Sequence, residues 1–218
     1  MAVTKTTQFA NRYGLDFKIY AYPYTQGDDA LMTVDYVNEV AVDFSSNTVW
    51  ATGGIYHANQ IPFSDPIEGT LTLSTQIMTS ELLALAAGKD LSSFSGNTVV
   101  FSNSDSPQFY VIMGKTCWKD KNGVVYTDDI TAFKVAPDKA FNVTYTGEGD
   151  PNSMDITFNL MEDTTHQVFQ SSVSSYTKVA SPTGNPSTSG YYELKSGYYE
   201  KSTDTSVNTS KTYYTKDS

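Results

Sequence analysis

The feature that most constrains this chain is an alternation of apolar and hydroxyl residues along many short segments. Between Gly69 and Ile77, Leu71 and Leu73 fall on one parity, while Thr70 and Thr72 fall on the other. Period-two alternation of this kind is typical of half-buried strands in antiparallel sheets. The pattern therefore predicts a mainly β fold. Six further segments show the same alternation, and they are centred on Ile19, Val34, Val42, Val111, Val143 and Phe158.

Composition supports the same fold class. The 218 residues include 16 Tyr and 11 Phe, and aromatic and β-branched residues favour a pleated, half-buried surface over a helix. The charged fraction is 17%, which is below the usual value of about 25%. We therefore expect a β-sheet protein with an extensive contact surface.

One short helix interrupts the strands. Thr79 or Ser80 can cap its start, Glu81 suits its first turn, and an apolar run fills Leu82 to Ala87. Gly88 is placed to end the helix in a left-handed conformation. A helix of about two to three turns is not stable alone, so we expect it to pack against a sheet.

The chain divides near residue 169. Residues 1–168 contain nine Lys and Arg against 20 Asp and Glu, whereas residues 169–218 contain five Lys against four acids. The whole acidic excess, 9 − 20 = −11, therefore lies in the first part. We interpret residues 1–168 as a β body and residues 169–218 as a Ser-, Thr- and Tyr-rich appendage.

The appendage contains an imperfect repeat. Gly190-Tyr191-Tyr192-Glu193 recurs seven residues later as Gly197-Tyr198-Tyr199-Glu200, and Tyr213-Tyr214 lies near the end of the sequence. Two doublets at this spacing can form a small hairpin. The alternative is a flexible tail that buries too little apolar surface to become ordered. The sequence leaves both open.

Residues with catalytic or ligand-binding chemistry are few. Cys117 is the only cysteine, His57 and His166 are the only histidines, and Arg12 is the only arginine. The acidic pairs lack the spacing of a calcium loop, and a chain of net charge −10 is unsuited to general polyanion binding. We therefore expect no catalytic residues, no metal site and no cofactor, and interpret the chain as a structural or binding protein.

The first eight residues, Met1 to Gln8, lack the apolar core of a secretory signal. No apolar run is long enough to span a bilayer. We therefore expect a protein that is made in a cytosol and has no membrane span.

Several features follow one another in a distinctive order. A strand from Glu39 to Phe44 and a turn-rich stretch precede Gly69-Thr70-Leu71-Thr72-Leu73, and a Leu-rich helix ending at Gly88 follows. Strands at Phe109–Lys115 and Asp155–Met161 complete the series. This succession, over roughly residues 33 to 162, resembles the major tail proteins, or tail-tube proteins, of long-tailed, non-contractile bacteriophages.

The resemblance implies an antiparallel β-sandwich with one flanking helix. It also implies hexameric rings that stack into a tail tube, through which DNA passes without specific binding. The implied partners are further copies of the chain, the tape-measure protein and the tail-terminator protein. The implied location is the virion tail, after assembly in the host cytoplasm.

Two other classes of protein compete with this interpretation. One is a β-rich surface adhesin or carbohydrate-binding module, because Tyr-rich β proteins bind glycans. The other is a hydrolase carried in a virion, which would need paired carboxylates or a metal set. Negative-stain microscopy discriminates between assembled tubes and compact monomers.

The stretch between Phe44 and Gly69 is predicted to be a loop of about two dozen residues. Loops of this length are uncommon unless they are functional. We expect its apolar side chains to contact a neighbouring subunit, although a local hairpin that returns them to their own core is the alternative. The candidate contact residues are Trp50, Ile55, Tyr56, Ile61 and Phe63.

Acidic residues are the candidates for lining a bore. A lumen that carries carboxylates repels phosphate and avoids adhesion to DNA. The candidate lumen residues are Asp28, Asp29, Asp128 and Asp129, with outward-facing acids that serve only solubility as the alternative.

Overall fold

The computed structural model describes residues 9–34, 37–46, 48–53, 58–64, 66–102, 108–120, 124–138, 142–143, 154–195 and 198–217. In these residues the chain forms 15 strands and one helix. In chain order the elements are β1 (Phe9–Ala21), β2 (Met32–Val34), β3 (Val37–Ser45), β4 (Thr48–Gly53), β5 (Ala58–Ser64), β6 (Glu68–Thr75), α1 (Ser80–Ala86), β7 (Tyr110–Asp120), β8 (Val125–Pro137), β9 (Asn142–Val143), β10 (Met154–Leu160), β11 (Phe169–Ser174), β12 (Tyr176–Lys178), β13 (Tyr191–Lys195), β14 (Tyr198–Lys201) and β15 (Tyr213–Lys216).

The strands of the body form one antiparallel sheet that folds over its own core. Its hydrogen-bonded order is β2-β1-β7-β8-β10-β6-β3, and β9 adds to β10. The last strand, β3, also contacts β1, so the two ends of the path approach each other. The result is an antiparallel β-sandwich with one helix, which confirms the fold class expected from the alternation.

Strand β8 has two different partners along one side. Its first half, Thr127–Ala132, pairs with β11, and its last residues, Val135–Pro137, pair with β10. Phe133 lies between these two halves, where its N–H donates to the Val168 carbonyl at 3.2 Å. The sheet therefore forks at Phe133, and the fork separates β11 from β10.

The core follows the apolar parity of the strands. Leu71 and Leu73 of β6 lie inside, and the parity that carries Thr70 and Thr72 lies farther out. A Cβ at Gly114 would overlap the Phe17 ring, so glycine is required there for close packing. The largest buried core side chains are Phe17, Ile19, Leu71, Leu73, Leu82, Leu85, Tyr110, Ile112, Val135, Ile156 and Phe158.

Helix α1 begins and ends as its sequence predicts. The Thr79 hydroxyl accepts a hydrogen bond from the Leu82 N–H at 3.2 Å, and Gly88 follows the helix with φ of +76°. Leu82 and Leu85 are buried against the core of the sandwich. Among the described helical residues there is no segment of the length and hydropathy that a bilayer crossing requires.

The end of the sequence forms a second antiparallel sheet, of order β12-β15-β13-β14. The two Tyr-Tyr-Glu repeats pair as β13 and β14, and the last Tyr pair lies in β15. The hairpin interpretation of this repeat is therefore confirmed. The strands change sheet at Ser175 rather than at residue 169, because β11 pairs with β8. We call residues 176–217 the C-terminal module.

Candidate assembly surfaces

A long β-hairpin extends the sandwich at one edge. The pairing of β3 with β6 runs out to Ser45 and Glu68, and β4 then pairs with β5 from Thr48 and Ser64 onward. We call residues 48–64 the arm. At about 3.3 Å per residue, the six residues of β4 give the arm a reach of roughly 20 Å.

The sequence predicts the arm as a loop, with a local hairpin as the alternative; the loop is wrong and the hairpin pairing is confirmed. Gly53-Gly54 and Pro62 interrupt the apolar alternation that identifies strands. The backbones of β4 and β5 are nevertheless paired with each other. Trp50 lies on β4 opposite Pro62, and Phe63 lies on β5 opposite Val49.

Ile61, another predicted contact residue, also lies on β5, opposite Ala51. Ile55 and Tyr56 fall outside the described residues. The role of all five in contacting a second subunit stays a prediction.

Two properties of the arm favour a partner. Among the elements that the structure describes, β4 and β5 make extended contact only with each other, and an isolated two-stranded hairpin is at best marginally stable in water. In addition, the chain has no charged residue between Phe44 and Ser64. A neutral hairpin on a strongly acidic body is suited to contact with another copy, because like charges at such a contact would oppose it.

An apolar groove lies at the root of the arm. Its volume is about 680 Å³, within the range of roughly 300–1,000 Å³ typical of binding pockets. Phe44 and Ile67 at its rim are 49% and 60% exposed. We call it the arm-root groove. Its lining residues are Phe44, Ser45, Ser46, Ile67, Phe133, His166, Gln167, Val168, Phe169 and Gln170.

The fork in the sheet creates this groove. Strand β8 pairs with β11 before Phe133 and with β10 after it, so β11 and β10 diverge at this residue. A gap therefore opens between β11 and the β3–β6 pair. The Phe44 and Phe169 rings meet edge to face across it, with centroids 5.7 Å apart. The sequence analysis missed this site because the groove residues are far apart in the chain and only the fork brings them together.

The turn before β11 is fixed by Asp163. Its carboxylate accepts hydrogen bonds from the Thr165 and Gln167 N–H groups, both at 2.8 Å. These bonds, the one from Gln167 above all, hold the pKa of Asp163 below its usual value. His166 has φ of +63° in the same turn and contacts Glu162. The turn thereby positions Val168 and Phe169 in the groove.

The candidate lumen acids do not form one surface. Asp28 and Asp29 are exposed in the connection between β1 and β2, next to the end of β1 at Ala21. Asp129 lies opposite Lys115, which lies opposite Leu15 of β1. Leu15 and Ala21 are six steps apart, which is roughly 20 Å along the strand, so the two sets of acids lie at different positions along the sheet.

Asp128 is not a surface residue, and its assignment to a lumen is wrong. It is 2% exposed. Its carboxylate accepts hydrogen bonds from Trp118 Nε1 at 3.1 Å and from Ser171 Oγ at 2.8 Å. Alternation along β8 turns the neighbouring Asp129 outward, where it forms an ion pair with Lys216 at 3.7 Å.

The C-terminal module contains a compact polar network. Glu193 is buried, accepts from Ser202 Oγ at 2.6 Å and pairs with Lys211 Nζ at 3.0 Å. Asp204 accepts from Lys211 and from the Tyr213 hydroxyl, at 2.8 and 2.7 Å. The Ser202 hydrogen bond is the main reason that the pKa of Glu193 lies below its usual value, and the two carboxylates raise the pKa of Lys211.

The backbone of Tyr199 joins the module to the body, beside a cluster of tyrosine rings within the module. Tyr176 stacks on Tyr199 with ring centroids 4.2 Å apart, and Tyr214 meets Tyr199 edge to face. The Tyr199 N–H donates to Thr127 Oγ1 of β8 at 3.4 Å. Thr127 pairs with Cys117 across β7 and β8, and the Cys117 thiol is buried. The cysteine therefore lies in the body next to its contact with the module.

No group of three or more His, Cys, Asp or Glu side chains is arranged to hold a metal ion in the part of the chain that the structure describes. His166 is exposed, and His57 falls outside the described residues.

A scan against protein-family models finds no match, and no curated protein matches the chain. Its function must therefore be argued from its own surfaces.

Proposed function

We propose that this chain is the subunit of a phage tail tube, a structural virion protein without enzymatic activity. In this proposal, rings of the chain, hexameric by the resemblance, stack into a conduit for DNA. The tape-measure protein and DNA occupy the bore, and a tail terminator closes the tube. Assembly takes place in the host cytoplasm, and the product is the virion tail.

The observation that carries the proposal is the arm. A two-stranded hairpin whose strands reach roughly 20 Å is at best marginally stable as an isolated unit. Its uncharged sequence, which includes Trp50, Ile61 and Phe63, is suited to burial against another subunit. An arm of this kind can link one subunit to the next along a tube.

The charge distribution gives the proposal further support. Residues 1–168 carry a net charge of −11, which repels DNA phosphates. Asp28 and Asp29 are exposed and remain candidates for the surface of the bore. The acids and the neutral arm thus divide the surface into regions suited to repelling DNA and regions suited to assembly.

Electron microscopy of the purified full-length chain tests the proposal. We expect rings or tubes at high protein concentration. The double variant Trp50→Ala, Phe63→Ala should keep the far-UV circular dichroism of the parent but fail to form tubes, because the arm loses its largest apolar groups. Phe109→Ala is the matched control, since Phe109 is an exposed aromatic residue outside the arm.

The opposing outcome is equally concrete. If the parent chain remains a compact monomer at all concentrations and binds glycans, the tube proposal is wrong and the carbohydrate-binding alternative is favoured. If the parent forms tubes and the arm variant forms them equally well, the arm is not the linking element.

A further inference from the structure

The C-terminal module consists of two similar halves. In each half a short strand, β12 or β14, is followed by a long connection, residues 179–190 or 202–212. A strand that begins with two tyrosines, β13 or β15, then completes the half. We call residues 176–195 the first unit and residues 198–216 the second unit.

An internal two-fold axis relates the two units. The sheet order β12-β15-β13-β14 stays the same when β12 changes places with β14 and β13 changes places with β15. The central ladder obeys this exchange, because Tyr192 lies opposite Tyr214 at its centre. The outer ladders match as well, since β12 meets β15 in the same register as β14 meets β13. The two units are therefore equivalent in backbone pairing.

Hydrogen bonds outside the ladders repeat across this axis. The Val179 N–H donates to the Tyr213 carbonyl at 2.8 Å. At the equivalent place in the second unit, the Ser202 N–H donates to the Tyr191 carbonyl, also at 2.8 Å. Each unit therefore fastens the start of its connection to the other unit in the same way.

Tyrosine rings repeat in the same way. Tyr176 meets Tyr192 edge to face, with ring centroids 5.0 Å apart. Their equivalents in the second unit, Tyr199 and Tyr214, meet edge to face at 4.8 Å. The equivalent residues Tyr176 and Tyr199 also stack on each other. The tyrosines that recur in the sequence thus occupy equivalent places in one cluster.

Neither unit has a strand ladder of its own. Among the described strands, β12 does not pair with β13, and β14 does not pair with β15. All three ladders of the module join one unit to the other. A unit of about twenty residues is too small to bury a core by itself, so each unit is ordered by pairing with the other. The module has the architecture of an intertwined dimer whose two subunits are joined in one chain.

From this architecture we infer that the units associate copies of the chain: the second unit of one copy pairs with the first unit of another. Only Ser196 and Gly197 separate the units in sequence. Two copies that exchange their second units therefore retain every contact within both modules. Exchange of an identical element between copies is a low-cost route to dimers, and the high local concentration in an assembly favours it. The inference does not depend on a tube.

The polar network determines which units pair. The Glu193 carboxylate of the first unit is satisfied by Ser202 Oγ and Lys211 Nζ of the second, at 2.6 and 3.0 Å. The first unit has Val179 in place of Ser202, and its connection contains no lysine. Two first units would therefore bury Glu193 without either partner, which is costly for a charged group. Exchange between copies accordingly pairs unlike units.

Thiol cross-linking of full-length chains tests the exchange. Thr177 lies opposite Thr215 across the two units, so a chain carrying Thr177→Cys is mixed with a chain carrying Thr215→Cys. The mixture is refolded from urea at high protein concentration and treated with a short bismaleimide, which avoids the strict geometry of a disulfide. We expect covalent dimers from the mixture and none from either chain alone. Cys117 is buried, and the parent chain measures its background.

Thr177→Cys mixed with Leu194→Cys is the matched control. Both residues belong to the first unit, so an exchange of second units does not bring them together between copies. Leu194 is 44% exposed, and a thiol at its position is accessible to the reagent. We expect no covalent dimers from this mixture.

A charge exchange tests the same contact without cysteine substitutions. Glu193→Lys in one chain and Lys211→Glu in another each place like charges together in the network, and each chain alone should expose Cys117. Thr127, the neighbour of Cys117, contacts the module through Tyr199. When the chains are refolded together, exchange reunites the native Glu193 of one with the native Lys211 of the other. Because one module of each mixed pair regains the parental network, Cys117 should react roughly twofold more slowly than in the separate chains.

The outcomes separate this inference from the proposed function. If the Thr177→Cys and Thr215→Cys chains give no covalent dimers, or if the charge-reversed chains react no more slowly together than apart, the units pair only within their own chain and the inference is wrong. Dimers from the Leu194→Cys control would show that like units pair, which also overturns it. These results leave the tube proposal in place, whereas a parent that exchanges units but forms neither rings nor tubes overturns the tube alone.

Discussion

The body and the C-terminal module are both antiparallel sheets, but they are stabilised by different chemistry. The body buries aliphatic and phenyl side chains such as Leu73 and Phe158. The module buries Tyr213 and the carboxylate of Glu193, which must be satisfied by Ser202 and Lys211. A sheet of about forty residues has too little apolar surface to be stable by packing alone. In the module, the polar network and the tyrosine stacking provide the remaining stabilisation.

Because of this difference, the free energy of unfolding of the body and that of the module should depend differently on pH. Apolar burial does not depend directly on pH, whereas a network of carboxylates and an ammonium does. Both tryptophans, Trp50 and Trp118, lie in the body, so their fluorescence reports on the body alone. Cys117 lies next to the contact with the module, so its reaction with a thiol reagent should report on the module's departure.

The largest effect is expected from removing a ring from the core of the body. Phe158→Ala leaves a cavity where a fully buried side chain was packed, and such changes cost about 3–5 kcal/mol. Urea unfolding followed by tryptophan fluorescence should show this loss. Phe101→Ala, which truncates a phenylalanine that is more than half exposed, is the control; equal losses for the two variants would contradict the assignment of the core.

A smaller effect is expected from the module's polar network. Ser202→Ala removes the hydrogen bond to the buried Glu193 carboxylate. Hydrogen bonds to charged groups contribute about 1.5–3 kcal/mol, so the module should unfold at lower urea and Cys117 should react sooner.

The tryptophan transition of the body should move much less in Ser202→Ala. Ser206→Ala, at an exposed position, should change neither the tryptophan transition of the body nor the thiol reactivity of Cys117. If the urea midpoint of the body moves as far as that of the module, the two regions unfold as one unit, and their stabilities are not independent.

The smallest effect is expected from mild acid. Hydrogen bonds, chiefly from Ser202 to Glu193 and from Ser175 to Asp217, hold the pKa of both carboxyls below their usual values. Groups with a depressed pKa in the folded state stabilise it above their unfolded pKa, and this contribution is lost as pH falls through the folded pKa. Below about pH 4, thiol reactivity of Cys117 should therefore rise before tryptophan fluorescence changes.

Glu193→Gln is the control for the acid experiment, because it removes one of the two titrating groups. Its acid sensitivity should be weaker than that of the parent. If the parent and Glu193→Gln lose the module at the same pH, the network around Glu193 is not the source of the effect.

Local pattern was sufficient to predict most of the fold. The alternation around Leu71 and the cap residues Thr79 and Gly88 depend only on near neighbours, and the structure confirms the strand and the helix. The hairpin of the arm was only the alternative to a loop, because glycine and proline in β4 and β5 break the alternation even though the two strands pair.

The candidate surfaces were less accessible to sequence reasoning because they depend on distant residues. The arm-root groove unites Phe44, Phe133 and Phe169 only through the fork in β8. Asp128 and Asp129 look alike in sequence, and only their opposite orientations on β8 make Asp128 buried and Asp129 half-buried. The network of Glu193, Asp204 and Lys211 likewise depends on how the single connection between β14 and β15 returns to β13.

The continuity of the arm with β3 and β6 has a mechanical consequence. A force that pulls on the arm along its length draws β3 and β6 in the same direction, so the ladder between β6 and β10 bears the load. Because the pull is parallel to these strands, it loads their hydrogen bonds together in shear rather than one after another. The arm is thus anchored to the sheet in a geometry that resists tension along its strands.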